Sequence, residues 1–374
     1  MILTVRHFLL PVMTGLLCLL SVGCQDDVSI ERFGLDYAVS LDIDPENIAT
    51  LYQGIWSKSP VPVSLDLNGE RRRGRISFSG ASTLDDLKKS FEISLENPIM
   101  GQNTWRLNNI SRDESTMRML LAYRVFRLSG VDMPILAPIA VWLNNSYLGL
   151  YLLQEQFDET YFENRSLHPA SLYQAQDNIS SMENCSSVST EFSAKIGSDE
   201  MGDLERLICA LNDPTHDWTL QPLDTMIHMD SLINYLAVSA YIRNTDGIRN
   251  NFFMLRYAGD ERFRILPWDF DFAFHPPWTP ATGVMVAFDQ NRMMQMVMNN
   301  ETFFAAYQKR FAEIAAGANN GVLQGWIDEL FPQLRDAYQA DPVLSRGTVT
   351  YEQAVAALRQ LIERMAAAGN AGER

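Results

Sequence analysis

The chain lacks the short glycine-rich signatures that cradle a nucleotide or present a nucleophile. No GxxxxGK[ST], GxGxxG or GxSxG stretch occurs, so P-loop, dinucleotide-binding and serine-hydrolase readings lose their usual support. Histidine is scarce, five residues with no close pair, which removes a zinc signature. Positive charge is in deficit: the formal net charge is −16, and no basic patch offsets it, which argues against a nucleic-acid backbone as partner. The densest basic run, Arg71-Arg72-Arg73-Gly74-Arg75, follows Asn68-Gly69. It reads as a hairpin turn opening onto a solvated strand edge, with a phosphate-facing role left open for one arginine. After the N-terminus no second long apolar run follows, so the remainder is expected to be soluble.

The N-terminus carries a targeting signal. Arg6 and His7 precede an apolar stretch from Phe8 to Leu20, then Ser21-Val22-Gly23-Cys24. So short an apolar segment ending in small residues reads as a secretory signal rather than a spanning helix, which needs about 20 apolar residues. The small residue before Cys24 resembles a bacterial lipoprotein box, with Ser21 where leucine is usual. The expected layout is a signal peptide over 1–23, a lipidated N-terminus and tether over 24–40, and a folded domain over 41–374. Acyl chains on Cys24 would hold the protein at the cell-envelope membrane, in the outer membrane or periplasm if the host is Gram-negative. Of four cysteines, Cys18 leaves with the signal. Cys185 and Cys209 remain as one candidate disulfide, the alternative being that Cys209 is a buried thiol.

Residues from about 41 to 160 read as strand-rich. Val61 to Leu67 alternates, Arg75 to Phe78 and Ser90 to Leu95 continue the pattern, and Ala137 to Leu143 and Tyr147 to Leu153 flank a hairpin turn at Asn144-Asn145-Ser146. A helix is expected from Thr116 to Leu128, stopped by Gly130. The polar stretch 166–203 reads as an ordered insertion or a loop. From Leu204 onward helices dominate: Leu204 to Leu211, Met229 to Tyr241, Glu301 to Ala316, Gly321 to Tyr338 and Tyr351 to Ala368, with a short hairpin from Asn251 to Leu266 among them. The fold class is α+β, a strand-rich lobe and a helical lobe (about 161–374) sharing a cleft.

Chemistry concentrates between Asn244 and His275. Asp246 and Asn251 flank a turn, and Asp269 returns beside Asn251 once the hairpin has reversed the chain. A base, a carboxamide and a metal-binding acid in this order are the minimal equipment for metal-assisted phosphoryl transfer. Hard oxygen ligands suit Mg²⁺. Asp271 shares a face with Asp269 if that segment is extended, as a further ligand or as a neighbouring acceptor. Trp268, Phe270, Phe272 and Phe274 are expected as core and cleft wall, and the methionines at 293, 294, 296 and 298 as adaptable packing.

These residues resemble the spore-coat-H-like (CotH) kinase family over roughly residues 60 to 340. Lys88-Lys89-Ser90-Phe91, Trp105-Arg106-Leu107-Asn108 with Asp113 and Arg118, the run from Asn144 to Glu155, Asn244-Thr245-Asp246 through Asn251, and Pro267-Trp268-Asp269-Phe270-Asp271 match its motifs in order. The resemblance implies an atypical protein-kinase-like two-lobed fold that uses ATP and Mg²⁺ or Mn²⁺. It makes Asp246 the base for an acceptor hydroxyl, Asn251 and Asp269 metal ligands, and Lys89 and Glu155 nucleotide-side residues. Two departures fall on the phosphate side: Ser79 stands where the family has arginine, and Glu92 where a second basic residue is usual.

Three functions fit. One is an envelope-anchored kinase passing the ATP γ-phosphate to Ser or Thr hydroxyls of a protein acceptor. Another is a catalytically weak, pseudokinase-like binding module. The third is another metal-dependent phosphoryl or nucleotidyl transferase using the same acids.

Overall fold

A computed structural model describes residues 30–80, 82–176, 179–216, 222–274 and 286–371. The signal segment and Cys24 lie outside the described residues. Seven strands close into a barrel: β1 (Tyr37–Asp42), β2 (Val61–Leu67), β3 (Glu70–Ser79), β4 (Ser90–Ile99), β5 (Gln102–Asn108), β6 (Leu136–Leu143) and β7 (Ser146–Glu155). Their order around the barrel is β1-β2-β3-β4-β5-β7-β6. The seam is a parallel pair, β6 against β1, from Tyr37 opposite Ile139 to Leu41 opposite Leu143; closure leaves no open edge.

The alternation in β2 buries Val61, Val63, Leu65 and Leu67 while Pro62 stays exposed. Two tight turns follow from side chains that tolerate positive φ. Asn68 and Gly69 sit at φ 54° and 92° between β2 and β3, and Asn144 and Asn145 at 46° and 67° between β6 and β7. Each turn is also tied to β1. Asn68 Oδ1 accepts from the Ala38 amide at 2.9 Å, and Asn144 Oδ1 accepts from the Ile43 amide at 2.9 Å. In β3, a Cβ on Gly74 would lie 2.3 Å from the Ser94 carbonyl oxygen, so only glycine permits the β3–β4 approach there.

A second sheet contains β8 (Pro169–Ala175), β9 (Phe192–Ile196), β10 (Phe252–Tyr257) and β11 (Arg264–Pro267), ordered β11-β10-β8-β9. The stretch 166–203, expected as an insertion or loop, therefore supplies half of this sheet. Its few apolar residues suffice because Leu172, Tyr173, Ala175 and Phe192 are all buried. Cys185 and Cys209 are disulfide-bonded, with Cα atoms 4.8 Å apart.

Ten helices complete the described residues: α1 (Pro45–Gln53), α2 (Arg118–Leu128), α3 (Glu159–Asn164), α4 (Val188–Glu191), α5 (Gly202–Asn212), α6 (Met229–Ile242), α7 (Arg292–Met298), α8 (Glu301–Gly317), α9 (Asn320–Ala340) and α10 (Tyr351–Ala371). Among the described residues no helix is long and apolar enough to cross a membrane. The barrel encloses one core, including Ile76, Trp105 and Tyr151. A larger core joins the helices to the second sheet, and Met293 and Met294 are fully inside it. The chain is thus a mixed α/β protein. Two expectations need correction. The strand-rich part is a closed barrel beginning at Tyr37, inside the stretch read as tether, because β1 is needed to seal β2 to β6. The later half, expected as helical with one short hairpin, carries two further strands, β8 and β9, beside that hairpin.

Candidate active site

A cleft of about 650 Å³ lies between the β3–β5 wall of the barrel and the second sheet, and Asp246, Asn251, Asp269 and Asp271 all line it. Local structure explains how they meet. Helix α6 ends on Arg243 in the left-handed conformation, and the buried Asn244 donates its amide to the Ser239 carbonyl at 2.8 Å. A one-turn 3₁₀ segment, Thr245–Gly247, follows and carries Asp246. Tyr235 Oη donates to the Gly247 carbonyl at 2.5 Å. A Cβ on Gly247 would sit 2.3 Å from Asn244 Nδ2 and 2.6 Å from Tyr235 Oη, so the turn requires glycine.

The β10–β11 hairpin then sets the second half of the site. Phe252 pairs with Pro267, and the Trp268 amide donates to the Asn251 carbonyl at 3.0 Å, extending the ladder by one step. Asn251 and Asp269 flank this ladder end, both in the left-handed region at φ 56° and 50°. Asn and Asp adopt that conformation more readily than other side chains. Beyond the hairpin, the Phe274 amide donates to the Ile242 carbonyl at 2.7 Å. Phe270 packs against Phe126 and Tyr123 at ring separations of 4.9 and 5.6 Å. These contacts fasten the segment after Asp269 to α2 and to the end of α6.

Within the cluster, Asn251 Nδ2 donates to Asp246 Oδ2 at 2.6 Å. Burial, then repulsion from Asp269, raise the Asp246 pKa, while the Asn251 bond pulls it back. Asp269 Oδ2 faces Arg106 Nη1 at 3.3 Å, and its Oδ1 is buried with no protein partner. Asp271 is pushed up to about 8 by burial first, then by the charges of Asp269 and Asp246. Residues 271–274 form a turn, so Asp271 reaches the cleft by the turn rather than along an extended strand.

The donor set suits a hard divalent ion in part. Asp269 offers a buried oxygen without a partner, and the three carboxylates interact strongly enough to favour a shared cation. Among the described residues, however, no three His, Cys, Asp or Glu side chains converge as a ready metal-holding group. A cation here would be held by Asp269 with the Asn251 carboxamide oxygen, Asp271 and water, as Mg²⁺ often is.

The proposed nucleotide-side residues lie elsewhere. Lys89 Nζ donates to the carbonyls of Leu84 and Asp86 and does not line the cleft. Its neighbour Lys88 is buried, donating to Asp341 Oδ2 and the Leu150 carbonyl, both at 2.5 Å. Glu155 forms a two-pronged pair with Arg165, both contacts at 2.9 Å, and accepts from the Ile135 amide at 2.8 Å. Gln156, one residue on, lines the cleft instead. Successive strand residues face opposite sides, and the parity of this segment turns Glu155 away. No arginine of the 71–75 run lines the cleft either.

Arg106 was not assigned a role from sequence. Its signal was the alternation in β5, where the buried Trp105 and Leu107 flank a less buried Arg106. Ser79 and Glu92, the two departures noted above, both line the cleft.

A family model described as CotH kinase protein matches residues 76–367. Among solved structures the chain is similar to the Helicobacter pylori proinflammatory kinase CtkA, at 11% identity, with 82% of this chain and 91% of that chain covered and a TM-score of 0.30. No curated protein matches the chain.

Proposed function

The chain belongs to the CotH kinase family, and from that premise we propose that it is an atypical protein kinase that transfers the γ-phosphate of ATP to Ser or Thr hydroxyls of a protein acceptor. The observation that carries the reading is the pairing, in one cleft, of a hydrogen-bonded Asp246–Asn251 unit with an Asp269 whose buried Oδ1 has no protein partner. In this reading Asp246 accepts the proton of the acceptor hydroxyl. Its raised pKa suits a group that must take up a proton. The hydroxyl oxygen bonds to the γ-phosphorus as the bond to the bridging oxygen breaks, and ADP leaves. Asp269, Asn251 and Asp271 would hold Mg²⁺ or Mn²⁺, which would neutralise phosphate charge there. The barrel and the second sheet would stand on either side of the nucleotide as the two lobes of a kinase do.

Residence in the bacterial envelope through acylation of Cys24 is part of the same proposal. The Cys185–Cys209 disulfide supports an oxidising compartment. A second reading, a pseudokinase-like binding module, draws on the fact that neither Lys88 nor Lys89 reaches the aspartates. Incubation with γ-labelled ATP, Mn²⁺ and a casein-type acceptor separates the two. A kinase labels the acceptor, and Asp246→Ala and Asp269→Ala abolish the label. A binding module takes up ATP without transferring label, and label that survives in both variants would refute the assigned site.

A further inference from the structure

A cleft that handles a polyphosphate needs a cation directed at it, and both motif lysines point elsewhere. Among the described residues, four cationic side chains line the cleft: Lys58, Arg106, Arg112 and Lys195. Arg112 forks onto Asp86, Nε to Oδ2 at 2.9 Å and Nη2 to Oδ1 at 3.0 Å. Arg106 forms an ion pair with Asp269 of the aspartate cluster.

We propose that Arg106 is the phosphate-binding cation of this cleft, held on Asp269 until a divalent ion displaces it. The proposal rests on the kinase reading and deepens it. Three observations carry it. First, Arg106 is rooted on a rigid strand: Trp105 and Leu107 are anchored in the barrel core at 1% exposure each, so the intervening side chain projects to the cleft. Second, the guanidinium is underused. Its contact to Asp269 is a single 3.3 Å approach, longer than the 2.7–2.9 Å typical of charge-assisted bonds, and its Nε is buried with no protein partner. A planar fork with spare donors matches phosphate geometry. Third, Arg106 contacts the same carboxylate that a divalent ion would take. Its cross-strand partner is Glu92, which also lines the cleft and keeps an acidic neighbour at the barrel wall for the displaced guanidinium.

The arrangement works as a placeholder. Without nucleotide, Arg106 offsets part of the negative charge on Asp269. With Asp269 taken up by a divalent ion, Arg106 would be free to turn its guanidinium to the phosphates of a bound nucleotide. Arg106 and the ion therefore compete in the empty cleft and cooperate once ATP is bound. A residue needed only for folding would not give effects of opposite sign.

The test measures two affinities in the full-length protein, Mn²⁺ alone and ATP at saturating Mn²⁺, for wild type, Arg106→Gln and Arg106→Lys. Arg106→Gln is expected to bind Mn²⁺ alone about threefold more tightly or better, because an opposing charge is gone. The same variant should bind ATP about 10- to 100-fold more weakly, because a charge-assisted phosphate contact is lost. Arg106→Lys keeps the charge without the fork, and should lie between the two for ATP; it carries the test should Arg106→Gln not fold. Wild-type ATP affinity in the variants, or Mn²⁺ affinity unchanged or weakened in Arg106→Gln, overturns the proposal alone. A wild type that binds Mn²⁺ but no ATP overturns the kinase reading and this proposal together.

Discussion

Lys88 and Asp341 form an ion pair closed to solvent: Nζ lies 2.5 Å from Oδ2, and the side chains are 1% and 0% exposed. The pair joins the residue just ahead of β4 to the end of α9. Asp341 also accepts from the Leu150 amide through Oδ2, and from the Val343 and Leu344 amides through Oδ1. The lysine also lies 4.3 Å from the centre of the Tyr151 ring. Removing one partner of a buried pair leaves an uncompensated charge, so Lys88→Met should cost about 3–5 kcal/mol. Asp341→Ala should cost more, since three backbone donors lose their acceptor. Denaturant unfolding checks the order, and equal, small effects would contradict a structural role for the pair.

Lys89 should behave differently from its neighbour. Its ammonium is held by two backbone carbonyls outside the cleft, so Lys89→Ala should lower stability by about 1 kcal/mol. ATP affinity should stay within about twofold of wild type, well under the tenfold that 1.4 kcal/mol represents. A loss of tenfold or more by calorimetry would put that ammonium in the nucleotide site.

The Cys185–Cys209 disulfide closes a loop of sequence separation 24 that holds β9 and the helix α4 ahead of it. A closure of that length stabilises by about 3 kcal/mol. The Cys185→Ser, Cys209→Ser double variant, or reduction of wild type, should lower the melting temperature. The two treatments should give the same shift, and a reductant should do nothing further to the double variant.

Asp271 predicts a pH dependence in metal-free protein. Burial and the neighbouring Asp269 and Asp246 charges push its carboxyl up to about 8, well above the usual carboxylate range, so over that interval the folded state holds a proton that the unfolded state has released. Stability contributed by this group therefore falls as pH rises from about 4 to about 8, and levels off above. Asp271→Asn should remove that slope. Added Mn²⁺ should stabilise wild type increasingly as pH rises, because binding competes with the proton. A stability curve identical in wild type and Asp271→Asn would contradict the electrostatic coupling of the cluster.

Much of this site was legible because it depends on local chain reversal. The hairpin between Asn251 and Asp269 could be read from its apolar runs, and reversal alone brings those two residues together. Lys89 and Glu155, read from sequence as nucleotide-side residues, do not line the cleft, because their direction depends on something non-local. Strand parity decides whether Glu155 or Gln156 faces the cleft, and that parity is fixed by β7 pairing with both β5 and β6. Barrel closure also escaped a sequence reading, since the β1–β6 seam joins residues about a hundred apart, such as Tyr37 and Ile139. The second sheet was half hidden because β8 and β9 are short strands inside a stretch rich in Ser, Asn, Asp and Glu. Arg106 had a visible sign in its Trp105–Leu107 frame, but its partner Asp269 lies far along the chain.

On the kinase reading, Asp269 makes nucleotide capture depend on a divalent ion. Calorimetric titration of ATP into wild type and Asp269→Asn, each with and without Mg²⁺, tests it most directly. Binding is expected in wild type only when Mg²⁺ is present, and none in the variant under either condition. Binding of equal strength in Asp269→Asn, or binding in wild type that ignores Mg²⁺, would contradict it.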